Sequence, residues 1–232
     1  MPKDENRIED PNKLIEKLRD ADDEEGTEES ALALARAELM YGIGVKEALL
    51  ILNQLANAGS TEAMLIFADL FSKGLYYEKD ERKAMRCLMR ADELGNAEAA
   101  YQLGKRYKLG IGTAENEKYA IRYFFRASDR GHMGATYQLA STFFSSGRPE
   151  EGAEALKRCF DGGIEEAGYD YAMCLLYGDG VRKDVRRAVR LLEGLAASGD
   201  EDARAKLLFM YRTGFKVEKN LKKAEFYEVR EA

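Results

Sequence analysis

Apolar residues recur along this chain at steps of three and four, and glycines interrupt them. In the stretch Ala167–Gly199, the residues Ala167, Tyr171, Ala172 and Leu175 share one face of a predicted helix. Gly178 and Gly180 end that helix, because glycine enters the left-handed region at no steric cost. Asp184 caps a second helix by accepting from free N–H groups of its first turn. That helix places Ala188, Leu191, Leu192 and Leu195 on its apolar face and stops at Gly199. The unit is a helix hairpin, and one hairpin cannot enclose a core alone.

The pattern repeats. An alanine opens the first helix at Ala31, Ala63, Ala99, Ala135, Ala167 and Ala203, at spacings of 32, 36, 36, 32 and 36 residues. Eight residues on stand Leu39, Phe71, Tyr107, Phe143, Leu175 and Tyr211. The loop glycine follows at Gly42, Gly74, Gly110, Gly178 and Gly214, with Ser146 in that column of the fourth unit. Second helices open on caps at Asp80, Asn116, Asp184 and Asn220. Their small residue falls at Ala48, Ala84, Ala120, Gly152, Ala188 and Ala224. The first and fourth units lose four loop residues, and Pro149 suits the first turn of the helix that follows. The expected layout is an acidic segment over 1–30 with a capping helix near 12–22. Six repeats follow, near 31–62, 63–98, 99–134, 135–166, 167–202 and 203–232, the last with a shortened second helix. Segments rich in Ala, Leu, Glu, Lys and Arg favour helix, and no alternating strand of useful length stands out. The fold class is therefore all-α, a solenoid of helix hairpins.

Charge adds one feature. The chain of 232 residues carries a net charge of −6, but residues 1–30 hold twelve acids and five bases, net −7. The repeat body is thus nearly neutral. Cys87, Cys159 and Cys174 have no paired spacing, which argues against a disulfide framework and for a reducing compartment. The opening MPKDENRIEDP lacks the apolar core of a signal peptide, and no apolar run approaches the roughly 20 residues of a membrane span. These features predict a soluble, cytoplasmic chain with no membrane partner.

Gly178-Asp179-Gly180-Val181, with Asp184, Arg187-Ala188 and Gly199, resembles the Sel-one-like repeat, a 36-residue relative of the tetratricopeptide repeat. The third unit is similar through Ala99, Tyr101, Leu103-Gly104, Tyr107, Gly110, Gly112, Ala120, Tyr123-Phe124, Ala127 and Gly131, and the likeness extends over about 31–232. The family's second-helix aromatic persists only at Tyr123 and Tyr227, with Cys87 and Leu191 in its place elsewhere. The resemblance implies a right-handed α/α superhelix and a role as a protein-binding adaptor.

Catalytic signals are sparse. His132 is the single histidine and sits in an expected exposed turn, so a site of several histidines is excluded. The pairs Gly42/Gly44, Gly110/Gly112 and Gly178/Gly180 have no preceding strand and no Gly-Lys-Ser/Thr, so they are hairpin loops rather than phosphate loops. Cys87 occupies a core column, and Cys159 and Cys174 lie on adjacent helices, where buried reduced thiols are expected. Tyr101, Tyr137 and Tyr169 form one column, read as packing between repeats. Arg82, Arg86, Arg90, Arg122, Arg126, Arg158, Arg186, Arg190 and Arg230, with Lys118 and Lys222, align on the second helices. Interspersed glutamates and a near-neutral body favour a solvated face over a nucleic-acid surface.

First helices line the inner surface of hairpin solenoids. With core columns at positions 0, 4, 5 and 8 from the opening alanine, positions 3, 6 and 7 are left for a concave groove. They supply Gln102, Lys105 and Arg106, then Gln138, Ser141 and Thr142, then Asp170 and Met173, then Lys206, Phe209 and Met210. Polar groups mixed with Met and Phe suit a peptide or helix from a partner protein. The expected function is a non-catalytic scaffold, with no cofactor, no metal and no small-molecule substrate. Two alternatives remain. One is a hydrolase related to the β-lactam chemistry linked to disulfide-rich family members, whose regularly paired cysteines this chain lacks. The other is an anionic or nucleic-acid partner on the basic columns.

Overall fold

The computed structural model describes residues 10–228, and it is helical throughout, with no strand among those residues. The chain forms two compact units, one ending at Asn116 and the other starting at Glu117. The first holds α1 (Pro11–Glu25), α2 (Glu28–Tyr41), α3 (Val45–Ala58), α4 (Thr61–Lys73), α5 (Glu81–Glu93) and α6 (Ala97–Leu109). The second holds α7 (Glu117–Asp129), α8 (Met133–Ser145), α9 (Pro149–Asp161), α10 (Glu165–Tyr177), α11 (Val185–Ala197), α12 (Glu201–Thr213) and α13 (Leu221–Tyr227). Within each unit every helix packs on the next in sequence.

The helix ends follow from local chemistry. Thr27, Ser60, Asn96 and Asp200 each accept from the backbone N–H three residues on and so cap α2, α4, α6 and α12. His132 does the same for α8 through Nδ1, which accepts from the Ala135 N–H at 3.1 Å. The single histidine is thus a half-buried helix cap rather than an exposed turn residue. Asp80, Asp184 and Asn220 cap α5, α11 and α13, whereas α9 opens on Pro149 without a side-chain cap.

The four long loops share one further bond. The N–H of Asp80, Asn116, Asp184 and Asn220 donates to the carbonyl of Phe71, Tyr107, Leu175 and Tyr211, at 2.8–2.9 Å in each case. Each loop is thereby pinned to the last turn of its first helix. Two left-handed residues let the chain turn there. The first is a glycine, but the second is Gly112 or Gly180 in two loops and Tyr76 or Lys216 in the other two. Tyr76 offsets its strain by donating its hydroxyl to the Leu39 carbonyl at 2.7 Å.

Both small-residue columns are core apart from Ala31, which is half-buried. Ala63, Ala99, Ala135, Ala167 and Ala203 are fully buried, as are Ala48, Ala84 and Ala188. In the second unit one continuous core runs from Ala140 through Leu156, Tyr171, Leu192 and Leu207 to Ala224. In the first, α1 closes over α2 through Ile15, Leu34 and Ala37. Arg19 of α1 also donates to the buried Glu38 carboxylate at 2.6 Å. Cys159 and Cys174 are buried and Cys87 is half-buried rather than core, and all three are free thiols. Among the described residues no helix is long and apolar enough to cross a membrane.

The second loop glycine also sets how closely neighbouring repeats approach. A Cβ on Gly180 would stand 1.9 Å from the Pro149 carbonyl oxygen, and one on Gly112 would stand 2.7 Å from that of Glu81. Gly199 is also left-handed but faces open space. Gly180→Ala is therefore expected to cost ~3 kcal/mol, and Gly199→Ala only ~1 kcal/mol of backbone strain, in urea unfolding. Equal costs would show that Gly180 serves conformation alone.

Candidate functional site

The groove positions are distributed by helical geometry. Seven residues fall only about 20° short of two full turns, so position 7 lies almost directly in line with the opening alanine. That column therefore turns toward the core. Met210 is fully buried in the second unit's core and is removed from the candidate surface. Thr142 is half-buried.

Arg106, in the same column of the first unit, has a side chain only 12% exposed. It donates to Glu81 Oε2 at 2.7 Å and to the Ser72 hydroxyl, which in turn donates to Glu81 at 3.1 Å. This network joins α4, α5 and α6, so Arg106 is a structural tie before it is a contact for any partner. Burial opposes ionisation of Glu81, but hydrogen bonds from Arg106 and Ser72 outweigh it and hold the carboxyl below its usual value.

Gln102 and Lys105 border a shallow cleft of about 250 Å³ with Arg106, Glu98, Leu109 and Ile111. Gln102 donates to Glu98 at 2.8 Å, and the Lys105 ammonium lies 5.4 Å from the Tyr101 ring centre.

The second unit has the larger recess. A cleft of about 620 Å³ opens between α8 and α10, with Leu156 of α9 also in its wall. Gln138, Ser141, Asp170 and Met173, four of the expected groove residues, line it together. Its apolar wall comes from Ala140, Phe144, Leu156 and Met173. Gly152 makes room for the Phe144 ring, since a Cβ there would come within 2.7 Å of it. The Tyr137 hydroxyl donates to Asp170 Oδ2 at 3.0 Å across the two helices. Burial first, then that hydrogen bond and the Asp170 charge, push the Tyr137 phenol up to about 12. Cys174 also borders the cleft, its thiol pushed up to about 11 by burial and by the charges of Asp179 and Asp170. Such a thiol stays protonated at neutral pH and is a poor nucleophile.

Lys206 and Phe209 belong to a separate surface cluster. Phe209 and Tyr177 are 49% and 44% exposed. Their rings lie 5.7 and 6.4 Å from that of Phe215. Lys206 donates to the Tyr177 hydroxyl at 3.1 Å, and Lys216 lies 5.4 Å from the Tyr177 ring centre. Tyr169 is half-buried like Tyr101 and Tyr137.

On the second helices Arg82, Arg86, Arg90, Lys118, Arg122, Arg158, Arg186, Arg190 and Lys222 are exposed, while Arg126 lies over the Tyr123 ring at 5.2 Å. Arg230 lies outside the described residues. Among the described residues no group of three or more His, Cys, Asp or Glu side chains could hold a metal ion.

Several residues of the large cleft lie outside the groove pattern, among them Leu156, Phe144 and Asp179. Leu156 enters from a second helix, Phe144 lies one position beyond a core column, and Asp179 is a loop residue. The available signal was the Gly178-Asp179-Gly180 loop, which carries a carboxylate just past the end of α10.

A family model described as Sel1 repeat matches residues 61–96, 97–132, 166–200 and 204–227. No curated protein matches the chain. Among solved structures, one similar chain is a protective antigen present in uropathogenic Escherichia coli strains and displaying an SLR fold. It is 25% identical with a TM-score of 0.73, over 92% of this chain and 47% of the other. This chain thus spans about half the length of that protein. A Sel1 repeat protein from Oxalobacter formigenes is 24% identical with a TM-score of 0.69, over 81% of this chain and 82% of the other. That second likeness is one of fold.

The Arg106 network has a pH signature. Because the folded Glu81 value is depressed, its contribution is present above the unfolded carboxylate value of about 4.3 and is lost as pH falls through the folded value. Arg106→Ala should lower stability at pH 7 by about 1–2 kcal/mol, a charged hydrogen bond discounted for partial exposure. It should also reduce the loss of stability between pH 5 and 3, measured by urea unfolding. An unchanged acid limb would show that Arg106 does not stabilise ionised Glu81.

Proposed function

The chain belongs to the Sel1 repeat family, and on that premise we propose that it is a non-catalytic scaffold that binds another protein at the α8–α10 cleft. Members of this family typically serve as protein-interaction scaffolds. One observation carries the reading for this chain. Gln138, Ser141, Asp170 and Met173, which share the groove register, converge on a single recess with an apolar wall.

The recess suits a protein partner for physical reasons. Stacked hairpins hold α8 and α10 rigidly, so little ordering cost falls on the receptor when a peptide or helix docks. Exposed Ser141 and half-buried Met173 offer an adaptable polar and apolar rim. The Cys174 and Tyr137 protons are held tightly at neutral pH, which fits recognition better than acid–base or nucleophilic chemistry. Three free thiols suit a reducing, cytoplasmic setting.

The test pairs capture from the native host with reconstitution. Ser141→Arg combined with Met173→Glu should lower the affinity of a captured and then purified partner at least about tenfold, near 1.4 kcal/mol, by calorimetry. Arg86→Glu combined with Arg90→Glu on the exposed face of α5 should leave it within about twofold. A partner indifferent to the first pair and lost with the second would place binding on the basic columns instead.

A further inference from the structure

The charge of the large cleft is one-sided. Its lining includes two carboxylates, Asp170 and Asp179, and no lysine, arginine or histidine. Asp170 accepts from the Tyr137 hydroxyl, which is a neutral donor. Neither aspartate takes part in an ion pair among the described residues. The field of both reaches the inner wall, since each raises the Cys174 thiol. The rest of the lining is uncharged, with an apolar wall of Phe144, Leu156 and Met173 beside polar Gln138, Ser141 and Ser145.

We propose, on the basis of the scaffold reading above, that this cleft takes a lysine or arginine side chain of the partner. An aliphatic stem would lie along Met173, Leu156 and Phe144, with its cationic head at Asp170 and Asp179. Long basic side chains bury their stems on apolar surface and keep the charged head at a polar edge. The cleft offers both environments in one recess. An acidic residue would meet two like charges with no cationic side chain in the lining to offset them, and the Tyr137 hydroxyl is already committed to Asp170. A purely aliphatic side chain would fill the wall but leave both carboxylates unpaired. The partner segment is therefore basic, and the two aspartates discriminate among segments of similar shape.

The probes are four capped pentapeptides, Ala-Ala-X-Ala-Ala, with arginine, lysine, norleucine or glutamate at X. Each is titrated into the whole chain carrying ¹³C-methyl methionine, and the Met173 signal is assigned by its loss in Met173→Leu. The arginine and lysine peptides should shift that signal saturably and bind roughly fivefold or more tightly than norleucine. The glutamate peptide should leave it in place. Asp170→Asn with Asp179→Asn keeps the shape of both side chains and should abolish the preference for the cationic peptides. Equal binding of norleucine and arginine, a preference that survives the double substitution, or no Met173 shift with any peptide each overturns the proposal. The scaffold reading fails separately. A partner lost with Ser141→Arg and Met173→Glu but indifferent to the aspartate pair leaves that reading intact and removes only the basic anchor. Cationic peptides that bind at Met173 while no host protein depends on the cleft would do the reverse.

Discussion

Close approach of helices that cannot stand alone is the constraint from which this structure follows. Nearly all are helices of 13–15 residues, near the length at which isolated helices are marginal in water. Each must bury a face against its neighbours. The two columns of small residues make that possible, because buried alanines such as Ala63, Ala84, Ala167 and Ala188 let backbones come together without a large side chain between them. Where even a methyl is too much, glycine takes the place. Gly152 leaves room for the Phe144 ring, and Gly168 leaves room for Phe160.

This packing also sets the surface chemistry. The room left at Gly152 is where the Phe144 ring packs, in the wall of the α8–α10 cleft. The opening column buries Ala135 and Ala167, and positions three and six residues later then flank the recess as Gln138, Ser141, Asp170 and Met173. The Tyr137–Asp170 hydrogen bond spans α8 and α10 and fixes the carboxylate at the cleft edge. The cleft is thus a by-product of stacking: the same register that fills the core presents the side chains.

Much of the architecture was legible because hairpin repeats write it several times over. A helix cap at Asp184 is weak evidence alone, but Asp80 and Asn220 cap in the same register. What the pattern obscured was three-dimensional. Met210 and Arg106 share a column that helical geometry turns toward the core, so a polar or flexible residue type there does not signal exposure. The sequence places His132 in an exposed turn, whereas it caps α8 as Asn96 and Asp200 cap α6 and α12. Gly180 looks like turn punctuation, and only the nearby Pro149 carbonyl reveals its second role. Asp179 reaches the cleft from a loop, where no helical period applies.

We propose that the α8–α10 cleft, rather than the basic face of the second helices, meets the partner. Site-specific photo-crosslinking in the native host separates the two, with a benzophenone amino acid at exposed Ser141 of α8 or at exposed Arg190 of α11. A discrete protein adduct from position 141 and none from position 190 is the expected result. An adduct from position 190 with none from position 141 would contradict the account.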